Sequence, residues 1–494
     1  MKTNPFLLTD FYKVSHFEQY PPGTEFVYST WIPRSTYIPD ITEVVAFGFQ
    51  AFIQKYLLDY FDTNFFERPR DEVLEEYARI IRNTLGVKPR LDHIDYLWNL
   101  GYLPLCIKAV PEGTRIPLRV PMLTIENTDP KCFWLTNAIE SLFSCENWLP
   151  ATSATIAASY REILDGWAAA TGADPAGVQF QAHDFSLRGM TSAESAASSG
   201  AGHLLSFTGT DSIPSICHLE KYYGADVTEE LVGTSIPATE HSVMCAYGQD
   251  ELGSYRRLLT DVYPNGLVSV VSDTWDLWNV LTVVLPELKD EIMARDGKLV
   301  IRPDSGDPAD IICGDRLPVI WPITPAHKGV IELLWDTFGG TVNAKGYKEL
   351  DSHIGAIYGD SITRERANDI CQRLAAKGFA SSNIVFGVGS YTYQFQTRDT
   401  FGFALKSTAV TINGEERAIF KDPVTDTGGV KKSLTGRVWV YEDRPGGSIV
   451  VADGLDSHIA ARFPPNLLQC VFRDGSACNV QTLAEIRDRL RGSA

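Results

Sequence analysis

Positive charge is scarce in this sequence. Lysine and arginine number 44 against 62 aspartates and glutamates, a formal net charge of −18 over 494 residues. A surface of that sign repels nucleic acid and anionic membranes, which argues against general binding to either. Any anionic ligand must be held by a local basic cluster working against the global field. Cysteine occurs only 9 times, scattered from Cys106 to Cys478 without a C-x-x-C pair. That argues against a zinc ribbon or a disulfide framework and for a reducing compartment. No run of 18 apolar residues is present, so no membrane-spanning helix is expected. The amino terminus, MKTNPFLLTDFYK, has no long apolar core and carries Asp10 early, unlike a secretory signal. Nucleophile elbow, P-loop lysine motif and low-complexity tract are all missing. The expectation is a cytoplasmic protein with ample apolar material, 44% of residues, for a large core.

What is present is organised around LVIRPDSGDP (299–308). A short buried-strand run ends sharply at Pro303 and Gly306, leaving Arg302 and Asp304 at its carboxyl end. The same design recurs from about 178 to 390. Apolar runs with polar tails are VQFQAHDFSLRG (178–189), LLSFTGTDS (204–212), ELVGTSIPATEHS (230–242), LVSVVSDTWD (267–276), LVIRPDSGD (299–307), IGAIYGDS (354–361) and NIVFGVGSY (383–391). Helical stretches lie between them, so parallel β-α units are expected. Seven such units with polar residues after each strand suit a seven-stranded (β/α) barrel, its site at the carboxyl ends. An open doubly wound sheet is the alternative, but its functional groups gather at one switch point.

Before the barrel, 44–61 and 71–86 show helical spacing, the second closed by Gly86, and 103–127 shows short β-runs broken by prolines. Residues 132–172 read as helix. After 391 the chain is β-rich, with a hairpin signal at Asn413-Gly414. The expected layout is therefore a barrel at 178–390. A flanking α+β domain is built from 1–177 together with 391–494. The stretch from about 308 to 352 reads as an insertion carrying its own helix, TPAHKGVIELLWDTFGG.

Convergent strand tails would gather His183, Asp184, Phe185, Arg188, Asp211, Glu240, His241, Ser272, Asp273, Arg302, Asp304, Gly359, Asp360, Gly387, Gly389 and Ser390. Arg188 and Arg302 are phosphate clamps by chemistry. Glycine turns at GDS (359–361) and GVGS (387–390) expose backbone N–H groups that cradle phosphate. Asp273, Asp304 and Asp360 suit ribose hydroxyls or a substrate-borne magnesium. Phe185 offers a platform for a flat ring. His183 reads as a structural or surface histidine, whereas a nucleophilic or acid–base role is open to His241. A second basic cluster, Arg398, Lys406, Lys421, Lys431, Lys432 and Arg437, suits a polyphosphate. The residues themselves point to a barrel enzyme for a sugar phosphate or nucleotide.

The strings TDFYKVSHFEQYPPGT (9–24), HDFSLRG (183–189), FTGTD (207–211), SIPATEHS (235–242), SVVSDTWD (269–276), IRPDSG (301–306), YGDS (358–361), TRD (397–399) and FKDPVTD (420–426) resemble the nicotinamide and nicotinate phosphoribosyltransferases, in the same order and nearly end to end. The resemblance implies the type II phosphoribosyltransferase barrel. It also implies that nicotinamide and phosphoribosyl pyrophosphate give nicotinamide mononucleotide and pyrophosphate with magnesium. Phe185 would stack on the pyridine ring and Tyr12 of a neighbouring subunit would cover it, making a homodimer with shared active sites. Asp211, in company with Ser235, would accept the carboxamide. Arg188 and Arg302 would hold phosphate and Asp304 the ribose. Gly359, Asp360, Gly389, Ser390 and the neighbour's Arg398 would bind the 5′-phosphate side. His241 matches a histidine phosphorylated by ATP as co-substrate, with Asp273 oriented toward it. Lys406, Lys421 and Lys431 would line the outer phosphate site. No residue is assigned as a direct metal ligand.

Departures from the family pattern are Ser390-Tyr391 in place of further glycines, Ser186-Leu187 in place of a glycine–aromatic pair, and 308–345. A nicotinate-specific enzyme and a catalytically silent binding homologue are the alternatives. Asp211 separates a nicotinamide enzyme from a nicotinate one: a carboxylate facing nicotinate's own would disfavour it by on the order of a thousandfold in a dry site.

Overall fold

The computed structural model describes residues 3–316, 323–359, 361–421, 433–455 and 463–492. Within these the chain divides into two compact units. One comprises Met1–Thr155, His218–Ala225 and Gln396–Ala494; the other comprises Ile156–Cys217 and Asp226–Phe395. The sequence boundary at 177/178 thus differs from the observed one, which falls inside the long helix Glu140–Thr171.

The second unit is built on a six-stranded parallel sheet. Its strands are β1 (Ala182–Asp184), β2 (Gly209–Thr210), β3 (Asn265–Val271), β4 (Asp296–Arg302), β5 (Ile354–Tyr358) and β6 (Ile384–Val388). Their order is β2-β1-β6-β5-β4-β3. Val268, Val270, Leu299, Ile301, Phe386 and Val388 are fully buried. Strands covered on both faces need such continuous apolar runs. Helices Ala193–His203, Pro308–Cys313, Pro325–Phe338 and Arg364–Ala376 lie between strands in sequence.

Among the described residues seven full strands are not seen. The run 230–242 makes two isolated parallel bridges instead, Gly209 to Thr234 and Ala238 to Ser269. Thr234 exchanges backbone bonds with Thr208 and Thr210, and Ser269 donates to the Pro237 carbonyl while accepting from Thr239. Pro237 has no N–H to give, which explains bridging without a ladder. In 204–212 only Gly209–Thr210 is strand; the LLSF run follows the end of helix Ala193–His203. The 308–352 stretch is ordered into two helices and the pair Gly340–Val342 and Lys348–Leu350, apart from residues outside the described set.

The first unit centres on a seven-stranded antiparallel sheet. Thr24–Ile32 lies between Leu123–Asn127 and Ala404–Ile412, so both chain ends meet in one sheet. Its aromatic core includes Trp31, stacked on Phe403 at 5.2 Å and edge-on to Phe143 at 5.1 Å. The Asn413-Gly414 hairpin closes with positive φ at both residues, 51° and 76°, as a type I′ turn requires. The expected helix 44–61 is instead strand Glu43–Val45 followed by a helical stretch from Phe49. Gly48 separates them at φ 105°, and a side chain there would strike Pro150.

Candidate functional site

Asp211, just past β2, holds the most elaborated carboxylate of the second unit. Its Oδ1 accepts from His183 Nε2 at 2.8 Å and from Ser235 Oγ at 2.5 Å. The side chain is 43% exposed, so the carboxylate is not sealed off, and both bonds fall on Oδ1 rather than Oδ2. Burial raises the Asp211 pKa, but the bonds from His183 and Ser235 and the charges of His183 and Arg302 outweigh it. The net direction is downward, and the group is anionic at neutral pH. It does not cap the following helix; its bonds go to the two side chains just named.

Phe185 follows β1 and rests on glycine. A Cβ at Gly387 would come within 2.5 Å of the Phe185 ring and 2.7 Å of Gly359 Cα. The Arg302 guanidinium carbon lies 5.1 Å from the Phe185 ring centre, and the His183 ring 4.8 Å away, tilted by 46°. Gly359 serves the same end: its missing Cβ leaves 3.2 Å to both Arg302 Nε and Asp304 Oδ1. Arg302 Nε is buried with no hydrogen-bond partner among the described residues, and its Nη2 stands 3.8 Å from Asp304 Oδ2. A guanidinium with free donors beside a ring platform is equipped for an anionic, flat-ringed ligand.

His241 opens the short helix His241–Cys245, half exposed. Its Nε2 is 3.9 Å from Asp273 Oδ1 and 3.9 Å from Asp304 Oδ2, while Nδ1 lies 3.3 Å from Thr274 Oγ1. Asp273 is almost wholly buried. Its Oδ2 accepts from the N–H groups of Asp304 and Ser305, each at 2.8 Å, and from Ser305 Oγ at 2.7 Å. This carboxylate therefore braces the turn after β4 and keeps Oδ1 for the histidine.

Arg188 is exposed in the turn Leu187–Gly189. Ser390 packs against that turn so closely that a Cβ on Gly189 would lie 1.9 Å from Ser390 Oγ. Gly389 stands at the N-cap of helix Ser390–Gln394. Ser361, the last residue of the GDS turn, has φ 54°, a strained conformation for a non-glycine residue. Asp360 itself and Lys431 lie outside the described residues.

The remaining expected residues belong to the first unit. Tyr12, 60% exposed, and Arg398 line one open cleft of about 340 Å³ with Asp10, Glu140, Cys145 and Trp148. Lys13, buried and paired with Glu140, stands 5.0 Å from the Tyr12 ring. Partial burial, then the charges of Arg34, Lys13 and Arg398, hold Lys406 below the usual lysine range, against an opposing pull from Glu140. Lys421 is exposed and donates its backbone N–H to Ser433. Arg437, grouped by sequence with these lysines, is neutralised by Glu126 and Glu416 at 3.1 and 3.0 Å. Sequence reasoning missed Lys13 and Arg34 from this cationic group, and it gathered His183 with Asp211 but gave it only a structural or surface role. The signal for His183 was only its place in the same strand tail as Phe185.

Residues 180–475 match the model of the nicotinate phosphoribosyltransferase family. The chain belongs to that family. Residues 4–81 match the amino-terminal domain of nicotinamide phosphoribosyltransferase. A protein named nicotinamide phosphoribosyltransferase from Acinetobacter baylyi is 47% identical over 502 residues, covering 99% of this chain and 97% of its own. Another of that name from Xanthomonas campestris is 34% identical, covering 98% and 97%. Among solved structures, nicotinate-nucleotide pyrophosphorylase from Pyrococcus furiosus aligns with TM-score 0.56 over 99% of this chain and 95% of its own. Human nicotinic acid phosphoribosyltransferase aligns with TM-score 0.52 over 98% and 93%. Each is 15% identical, a likeness of fold alone. Among the described residues no helix is long and apolar enough to cross a membrane.

Proposed function

We propose that this family member transfers the phosphoribosyl group of phosphoribosyl pyrophosphate to the ring nitrogen of nicotinamide. The products are nicotinamide mononucleotide and pyrophosphate. One observation carries the choice of nicotinamide over nicotinate: an anionic Asp211 with an open oxygen beside the Phe185 platform. That oxygen accepts an amide N–H but repels a second carboxylate.

The rest of the inventory suits the reaction. Loss of pyrophosphate concentrates negative charge on the leaving group, where Arg188 and Arg302 stabilise it. Phe185 orients a weakly nucleophilic neutral ring, and no general base is needed. Asp304 is a partly exposed carboxylate that would meet a magnesium carried by the substrate, and the ion would supply further charge stabilisation to the leaving group. On this reading ATP phosphorylates His241, the carboxylates of Asp273 and Asp304 stabilising the charged ring. Tyr12 and Arg398 complete the neighbour's half of a shared site in a homodimer, and Lys406, Lys421 and Lys431 line the outer phosphate site; Gly359, Asp360, Gly389, Ser390 and Ser235 keep their expected contacts. The bridges through Thr234 and Ala238 support a closed ring with 234–239 as its seventh member. The protein would work in the cytoplasm.

The test is direct. Incubation with phosphoribosyl pyrophosphate and either nicotinamide or nicotinate, with and without ATP, should yield nicotinamide mononucleotide preferentially. Nicotinate mononucleotide as the main product would transfer the assignment to the nicotinate enzyme. No product from either ring would favour the silent homologue.

A further inference from the structure

We propose that His183 is a positioning residue for ring recognition: its N–H holds and aims the Asp211 carboxylate. This rests on the nicotinamide reading above. The geometry is specific. His183 Nε2 and Ser235 Oγ both bond the same oxygen, Oδ1, at 2.8 and 2.5 Å. Two donors on one oxygen lock the carboxylate's rotation and leave Oδ2 free to accept from a ligand. A donor is required of Nε2, so the neutral ring carries its proton there.

The fold reserves a place for this ring. Strands β1 and β2 pair His183 with Gly209. A Cβ at Gly209 would lie 2.8 Å from His183 Nδ1, so any larger residue would displace the imidazole. The ring is nearly buried, and it also leans on Phe185. One histidine thus touches both the acceptor and the platform. The charged or titratable groups around the pair are Arg302 from β4, Asp184 from β1, and His203 from the helix Ala193–His203.

His183 contributes to holding Asp211 below the usual carboxylate range. Removing the donor should therefore move Asp211 protonation to higher pH. It should also weaken nicotinamide binding, since a hydrogen bond to a charged group is worth roughly tenfold in affinity. The test compares His183→Phe, which keeps a ring without the donor, with His183→Gln, whose amide N–H reaches a similar position. Kinetics are measured across pH with nicotinamide and with phosphoribosyl pyrophosphate as the varied substrate.

His183→Phe should raise the nicotinamide KM about tenfold or more and shift the acid limb of kcat/KM to higher pH. The KM for phosphoribosyl pyrophosphate should stay unchanged, and His183→Gln should restore both properties in large part. Gly209→Ala, which alters neither bonding group, should reproduce the loss by displacing the ring; it serves alone if His183→Phe does not fold. Equal damage to both KM values, or an acid limb that stays in place in every folded variant, overturns the proposal. Failure of the wild-type protein to use nicotinamide is a different result: it overturns the functional reading itself.

Discussion

Replacing Asp211 by Asn should convert a nicotinamide site into one that accepts nicotinate. Two unit charges about 4 Å apart interact by ~4 kcal/mol at an effective dielectric of ~20 and by ~1 kcal/mol in water. The Asp211 side chain is 43% exposed, so the free site lies between these limits. A repulsion of about 2 kcal/mol, roughly thirtyfold in selectivity, is the reasonable magnitude. The thousandfold expected for a dry site is too large for this geometry. The bonding pattern adds direction to the change. Oδ1 already receives two donors, from His183 and Ser235. The Asn carbonyl will take that position, turning its NH2 to where Oδ2 stood. An acceptor for an amide thereby becomes a donor for a carboxylate. The assay is kcat/KM for both rings, measured in the same preparation at saturating phosphoribosyl pyrophosphate. The nicotinamide-to-nicotinate ratio should fall roughly thirtyfold or more. A ratio unchanged while both values drop together would refute the role assigned to Asp211.

His241→Ala should keep basal synthesis and lose ATP stimulation; ATP hydrolysis continuing at the wild-type rate would end the phosphohistidine assignment. Mixing inactive Tyr12→Ala with inactive Arg302→Ala should recover activity through hybrid dimers, because one intact site can form. Confirmed subunit exchange without recovery would count against a shared site. Glu112 is fully buried, and burial pushes its carboxyl up to about 7 despite N–H bonds from Gly48 and Gln50. A raised carboxylate loses native stability as pH climbs from its unfolded value to its folded one. Glu112→Gln should therefore gain stability relative to wild type between pH 5 and pH 8, by up to about 3 kcal/mol, read as a melting-temperature gap that widens with pH. A gap independent of pH would show that Glu112 does not titrate in the folded state.

Much of the second unit could be read from the chain because strands buried on both faces write themselves as apolar runs. β3 to β6 are of that kind, and the tails that follow them supply Asp273, Arg302, Asp304 and Gly389. β2 was harder, since only Gly209–Thr210 is strand and the apolar LLSF before it follows the end of a helix. The segment at 234–239 looks like a strand by composition, yet Pro237 limits it to bridges. Local pattern also misjudged 44–61, where Gly48, at φ 105°, separates strand from helix and distant Pro150 leaves no room for a side chain. His183 shows the general reason. A histidine beside a carboxylate in sequence reads as ordinary, and its true partner, Asp211, is reached only through the pairing of β1 with β2. Lys13 is similar: its value lies in Glu140, far along the chain.

The sheet that joins Thr24–Ile32 to Ala404–Ile412 has a consequence for synthesis. An amino-terminal strand emerges from the ribosome early, but its neighbour on one side is made only near the end of translation. Until then one edge of Thr24–Ile32 is unpaired, and its burial in the finished unit marks it as an adhesive surface. The parallel sheet, which lies between them in sequence, is fully translated first and can fold while the antiparallel sheet waits. Long-range pairing of this kind is slow, and open edges in transit invite aggregation. Truncations after residue 395 should accordingly yield insoluble chains even though every strand of the parallel sheet is present.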